Sequence, residues 1–265
     1  DLNSLHKTIL RDIEAGMIPF CIVGNAGTVN TGAIDDLNGL ADLAKKYGLW
    51  FHVDGAYGGL VSSIETIAAK FEGMNRADSI ALDFHKWLYQ PFEVGCLLVK
   101  GWDKLKRSFF KQAPYLDSTL EAGENRLDFN DHHFMLSRNA KSLKVWMSIK
   151  YYGIRKLKEM IQKDIDLTRY LSDQIDQSDD FILKAVSPLG ISCFLYKGTL
   201  EDPEVIADLN RRLIPALETD GRVFLTGTRL KGEFVLRACL INHRKTIRTI
   251  DYLLSVIRDV AETLL

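Results

Sequence analysis

The chain has 265 residues, 46% hydrophobic and 26% charged, the balance of a globular protein with enough material for one large domain or two modest ones. Its formal net charge is −1 with acids and bases interspersed, which leaves no electrostatic footprint for nucleic acid or an anionic membrane surface. No apolar run reaches bilayer-spanning length and no charged-then-apolar leader opens the chain, so a membrane protein is not expected and the cytoplasm is.

Leu2, Leu5, Ile9 and Ile13 recur at helical spacing and predict an amphipathic helix over about 1–16, ending at Gly16. A chain that opens inside a helix without methionine is expected to be part of something longer. "PFCIVG" at 19–24 is a short apolar run between proline and glycine and reads as a buried strand. After the loop "GNAGTVNTGAID", Leu37, Leu40, Leu43, Ala44 and Tyr47 form one helical face stopped by Gly48, and "LWFHVD" at 49–54 is the next strand. Strand, helix and strand joined by short loops imply a parallel, right-handed unit. "DSIALD" (78–83) and "GCLLVK" (95–100) add two strands, so an open α/β sheet accounts for about the first hundred residues.

The stretch from 101 to about 137 is polar and aperiodic, as in "YLDSTLEAGENRLDFNDHH", and reads as a long functional loop. A helical pattern then runs from about Asn139 to about Ile175 with an interruption near Gly153. Strands near 181–186, 191–197 and 234–240, with helices near 203–219 and 245–263, make a smaller second α/β unit. Cys21, Cys96, Cys193 and Cys239 each sit in an apolar run without zinc-site spacing, and read as small core residues of a reducing compartment.

Ligands of open α/β sheets gather at the carboxyl ends of the strands, which singles out Thr28, Asp54, Ala56, Asp83, His85 and Lys86. Asp54 closes an apolar strand and precedes the small-residue run "GAYGG", which would let a flat group approach the backbone; its bland alternative is a helix N-cap. His52, two residues earlier, reads as a satisfied core histidine. A lysine alone is unremarkable, but an acid and a lysine ending two strands, with a threonine and small residues between, is the set a pyridoxal phosphate site requires. The amine must form a Schiff base with the cofactor's aldehyde, and a carboxylate must keep the pyridine nitrogen protonated so that the ring acts as an electron sink.

"HVDGAYGG" followed by "DSIALDFHKWLYQPFEVGCLLVK" resembles the pyridoxal-phosphate-dependent amino-acid decarboxylases of the aromatic-L-amino-acid and glutamate decarboxylase group. "AGTVNTGAID" upstream and "LSRNAKSLKVW" downstream match the same family in order and spacing, so the resemblance runs through essentially the whole chain. It implies an α/β fold of the fold-type I transferase-like class. On that reading residues 1–105 are part of the large cofactor domain, 106–138 a mobile catalytic loop, and 139–265 a long linking helix with a small C-terminal domain.

The resemblance further implies that Lys86 is the Schiff-base lysine and Asp54 the pyridinium partner, with Ala56 under one ring face. Thr28, Asp83 and His85 would lie around the cofactor, the last two toward its phosphate. Val29 departs from the second threonine common there. Ser137 and Arg138 match the family's "SR" ahead of the long helix and would reach a site across a dimer interface. Tyr115, followed by leucine in "PYLD", would protonate the substrate carbon in the partner subunit after carbon dioxide leaves, where phenylalanine would favour aldehyde formation. His132 and His133 read as polar loop residues.

The activity so implied is decarboxylation of an L-amino acid, aromatic by the "HKWLYQPFEVGC" variant, in a homodimer. The residue stacking on the other ring face and the phosphate cup lie upstream in the family, so an N-terminal segment or companion chain is expected. The rival readings are an aminotransferase or carbon–carbon lyase on the same scaffold, and a non-catalytic assembly partner.

Overall fold

Residues 1–110 and 129–265 are described in the computed structural model. Helix α1 (Leu2–Glu14) is capped by Asp1, whose carboxylate accepts the Asn3 and Ser4 amides. It leads into strand β1 (Cys21–Asn25), helix α2 (Leu37–Tyr47) and strand β2 (Trp50–Gly55). Helix α2 is bracketed by the signals visible in its sequence: Asp36 accepts the Gly39 amide at the start, and Gly48 ends it at φ +65°.

Strands β1, β2 and β3 (Ser79–Asp83) pair in parallel, and β4 (Gly95–Val99) joins β3 antiparallel. The reversal follows from chain length, because residues 84–94 are too few for a crossover back to a parallel register. The first strand begins two residues later than the apolar run predicts: Ile18 and Phe20 are 88% and 80% exposed.

This sheet has one covered face and one open face. Ile22, Phe51, Val53 and Leu82 are buried with α2 and its neighbours. On the other face Val23 and Leu97 are 55% and 54% exposed, and Asp54 is exposed between them in the register.

Helix α3 (Phe84–Trp87) is a single turn after β3, and helix α4 (Trp102–Phe109) follows β4. The aperiodic reading of 101 onward does not anticipate α4, whose apolar face is Trp102, Leu105 and Phe109 alone: the helix has only 8 residues and buries none of them, so its period rests on too few positions to stand out. The long helical pattern is two helices, α5 (Lys141–Tyr152) and α6 (Ile154–Asp176), broken at Gly153 with φ +77° and ψ 152°. Glycine adopts that backbone without a Cβ clash.

A second sheet, in the order β5-β6-β8-β7, is antiparallel throughout: β5 (Phe181–Val186), β6 (Ile191–Tyr196), β7 (Thr226–Leu230) and β8 (Glu233–Cys239). Helices α7 (Pro203–Asp220) and α8 (Ile247–Glu262) pack with α6 in its core. A continuous cluster joins the two sheets, in which Ile161 and Ile165 of α6 and Ile191 and Cys193 of β6 meet Tyr57 and Trp87. Of the four thiols only Cys193 is fully buried; Cys21, Cys96 and Cys239 are half-buried, so the core assignment holds for one. No helix among the described residues is long and apolar enough to cross a membrane.

Candidate active site

The register of the first sheet places Asn25, Asp54 and Ala81 side by side at the carboxyl ends of three parallel strands. Side chains alternate along a strand, so Asp83 shares the open face with Asp54, one strand over and about 7 Å further along. Asp54 Oδ1 accepts the Ala56 amide at 3.1 Å, and the next short helical turn starts beyond Gly58 without a side-chain cap. The N-cap alternative therefore fails. Asp54 is held by a local turn and is exposed.

The glycines after Asp54 serve the chain itself. A Cβ on Gly58 would lie 2.4 Å from the Ala26 carbonyl oxygen, and one on Gly59 would lie 2.5 Å from Leu82 Cδ2. Gly58 lets the loops after β1 and β2 pack against each other and Gly59 lets the chain pass Leu82 of β3, a purpose that the reading of "GAYGG" as a ligand approach does not supply.

Lys86 is presented by α3. Its neighbour Trp87 is fully buried, edge-on to Tyr57 at 5.9 Å between ring centres, and packed so closely on Gly190 that a Cβ there would come within 2.9 Å of the indole. With Trp87 fixed in the core, Lys86 emerges on the other side of the turn, one-third exposed, and its Nζ pairs with Asp83 Oδ2 at 2.9 Å. His85 Nδ1 lies 3.1 Å from both the Val94 amide nitrogen and the Val94 carbonyl oxygen, and its Nε2 lies 3.6 Å from the same Asp83 oxygen. Asp83 is thus faced by an amine and an imidazole.

Thr28 lies in the loop after β1, where its Oγ1 accepts the Ala33 amide and contacts Thr31 Oγ1, both at 3.1 Å. Arg237 of β8 clamps that loop by donating to the Val29 and Asn30 carbonyls at 2.7 and 3.1 Å. His52 is satisfied, as its sequence reading holds: its Nδ1 lies 2.7 Å from Ser79 Oγ, which also accepts the Trp50 indole N–H.

Ser137 and Arg138 are exposed in the irregular stretch ahead of α5. His132 departs from the polar-loop reading. It is 7% exposed and stacks on Trp102 of α4 at 4.5 Å, beside the Lys106–Asp131 ion pair. His133 does stay in the loop, accepting the Met135 amide. Tyr115 lies outside the described residues.

The donor set on the open face, a primary amine, carboxylates on two neighbouring strands, an imidazole and a hydroxyl-bearing loop, fits a pyridoxal phosphate: the amine for its aldehyde and Asp54 for its ring nitrogen. The pattern that defines the pyridoxal-dependent decarboxylase conserved domain matches residues 2–197. The chain belongs to this family.

Family membership is matched by individual relatives. An aromatic-L-amino-acid decarboxylase of Bacillus atrophaeus is 34% identical over 262 residues, covering 98% of this chain and 55% of the relative. The Oryza sativa TDC solved with PLP and tryptamine superposes with a TM-score of 0.93 at 25% identity, over 100% of this chain and 55% of that one. The structure of Rhodiola rosea 4-hydroxyphenylacetaldehyde synthase gives 0.88 at 27% identity, over 99% and 54%. The chain therefore spans about half the length of the relatives it matches.

Proposed function

We propose that this chain carries the lysine half of a pyridoxal-phosphate-dependent decarboxylase that converts an aromatic L-amino acid and a proton into the amine and carbon dioxide. The observation that carries the reading is the placement of Lys86 and Asp54 on one open face, at the carboxyl ends of neighbouring strands. When bound, the cofactor supplies a protonated ring that takes up the electron pair left as carbon dioxide departs.

In this proposal Lys86 Nζ would hold the cofactor through its aldehyde. Asp54, an exposed carboxylate, would keep the ring nitrogen protonated by accepting its N–H. Ala56 would pack under the ring, and Thr28, Asp83, His85 and Ser137 would complete the surround, with Asp83 and His85 toward the phosphate end. Asp83 would hold the Lys86 amine in place through the ion pair seen here. Tyr115 from the second subunit of a homodimer delivers the proton to the substrate Cα. The division at about 105 and 138 separates the cofactor half, the loop bearing Tyr115 and the C-terminal unit.

Exposed apolar surface supports a further protein layer over this chain. Val23 and Leu97 stand open on the sheet, Phe20 is exposed just before β1, and Trp146, Met147 and Tyr151 of α5 are 59%, 57% and 82% exposed. A second copy of the chain and an additional segment or companion chain together supply that layer in the proposal. A cytoplasmic location fits the free cysteines.

Release of carbon dioxide from a panel of amino acids, with borohydride bleaching of a yellow protein, tests the reading. Aromatic substrates are expected to give amine and bleaching to be complete; a colourless protein without carbon dioxide release overturns it. The likeness to a 4-hydroxyphenylacetaldehyde synthase favours a second reading, oxidative formation of the aldehyde, which product analysis separates.

A further inference from the structure

The turn that presents Lys86 continues past α3 into an unusual backbone. Tyr89 has φ +52°, a left-handed conformation uncommon for a residue with a Cβ, and its amide donates to the Lys86 carbonyl at 3.1 Å. The Tyr89 hydroxyl reaches α6 and donates to Asp164 Oδ2 at 2.9 Å. Asp164 is fully buried, and the same oxygen accepts the Asn242 amide at 2.8 Å from the loop between β8 and α8. Its other oxygen, Oδ1, is buried with no hydrogen-bond partner among the described residues.

The surrounding contacts converge on the same turn. The Tyr89 ring stands edge-on to His243 at 5.1 Å, and Lys163, next to Asp164 in α6, donates to the His243 carbonyl at 3.2 Å. Gln90, one residue on, accepts from Ser148 of α5 at 3.0 Å. A buried carboxylate with one oxygen unpaired is poor stabilising material compared with an apolar side chain of similar volume. What Asp164 does supply is a single acceptor that binds two donors from segments far apart in sequence.

We propose that Asp164 is a positioning residue for Lys86: by accepting the Tyr89 hydroxyl and the Asn242 amide on one oxygen, it fixes the turn that ends α3 against the long helix and the second sheet. The inference rests on Lys86 as the cofactor-binding lysine. The direction in which Lys86 Nζ projects then depends on a junction that includes the C-terminal unit.

The test compares full-length protein loaded with pyridoxal phosphate as wild type, Tyr89→Phe, Asp164→Ala and Asp164→Asn. The readouts are visible circular dichroism of the bound cofactor, its rate of loss on dialysis, and the Tm of the cofactor-free form. Tyr89→Phe keeps the ring against His243 and loses only the hydroxyl; it is expected to speed cofactor loss about five- to tenfold and weaken the visible dichroism, with the cofactor-free Tm little changed. Asp164→Asn retains an oxygen for both donors and is expected within about twofold of wild type, whereas Asp164→Ala follows Tyr89→Phe. Tyr89→Phe protein that matches wild type in retention and dichroism overturns the proposal, as does Asp164→Asn as defective as Asp164→Ala. If Asp164→Ala does not fold, Tyr89→Phe decides. Failure of Lys86 as the attachment point is read separately, on wild type, as the absence of borohydride bleaching.

Discussion

Lys86 Nζ lies 2.9 Å from Asp83 Oδ2, an ion pair between residues three apart that spans the single turn where β3 ends. Both partners belong to one short segment, so the amine is oriented locally, at the edge of the sheet and on the face that bears Asp54.

Substituting Lys86 tests the attachment directly. Lys86→Ala and Lys86→Arg are both expected to remove the visible absorbance of the loaded protein, since neither side chain forms the covalent bond to the aldehyde carbon. Retention of the band in either variant contradicts the assignment.

Asp54 is expected to matter through its charge. Asp54→Asn keeps the size but loses the charge-assisted hydrogen bond to the ring nitrogen, and carbon dioxide release should fall about 10- to 100-fold, with partial recovery in Asp54→Glu. Equal activity in wild type and Asp54→Asn would remove Asp54 from the mechanism.

Tyr115 separates two product classes. Tyr115→Phe is expected to lower amine formation and let aldehyde appear among the products, measured by chromatography of the reaction mixture. An unchanged amine yield with no aldehyde refutes the proton-delivery role.

Trp87 is the anchor that turns Lys86 outward. It is fully buried against Tyr57 and Gly190, so Trp87→Ala should cost about 3–5 kcal/mol in urea unfolding. A loss below about 1 kcal/mol would mean that the turn is held by other contacts.

Asp164 gives a pH signature. Burial raises its carboxyl above the ordinary range, against the opposing hydrogen bonds from Tyr89 and Asn242. The folded protein then binds this proton more tightly than the unfolded chain, whose value is about 3.9, so stability declines as pH rises from about 4 through the folded value. Asp164→Asn lacks that titration, and its stability relative to wild type should be greater at pH 8 than at pH 4.5. A difference that is constant or grows toward acid pH rules this out.

Much of the site was legible because its parts are local. "LWFHVD" and "DSIALDFHKW" each carry their own strand and chemical group, and the rule that ligands gather at strand ends brings Asp54, Asp83 and Lys86 to one edge without knowledge of the sheet order. Local signals also placed the apolar face of α2 from Leu37 to Tyr47, stopped it at Gly48, and broke the long helix at Gly153. Short elements were the ones missed. Helix α4 has only 8 residues, with Trp102, Leu105 and Phe109 as its apolar face, and edge strand β7 alternates too faintly to stand out, although its tight turn to β8 at Lys231 and Gly232, both at positive φ, has a mark in the pair "KG".

Sequence by itself determined the family, the amine and the carboxylate that suit the cofactor, and the strands that carry them, since each is encoded in a few adjacent residues. Tertiary structure decided which face of the sheet is open, why Gly58 and Gly59 are glycines, that His132 is a stacked, buried side chain, and that Tyr89 meets Asp164 and Asn242. Those facts depend on contacts between residues far apart in the chain, Tyr89 lying 75 positions before Asp164 and Asn242 78 positions after it, which no local period records; only the folded chain brings such groups within hydrogen-bonding distance of one carboxylate.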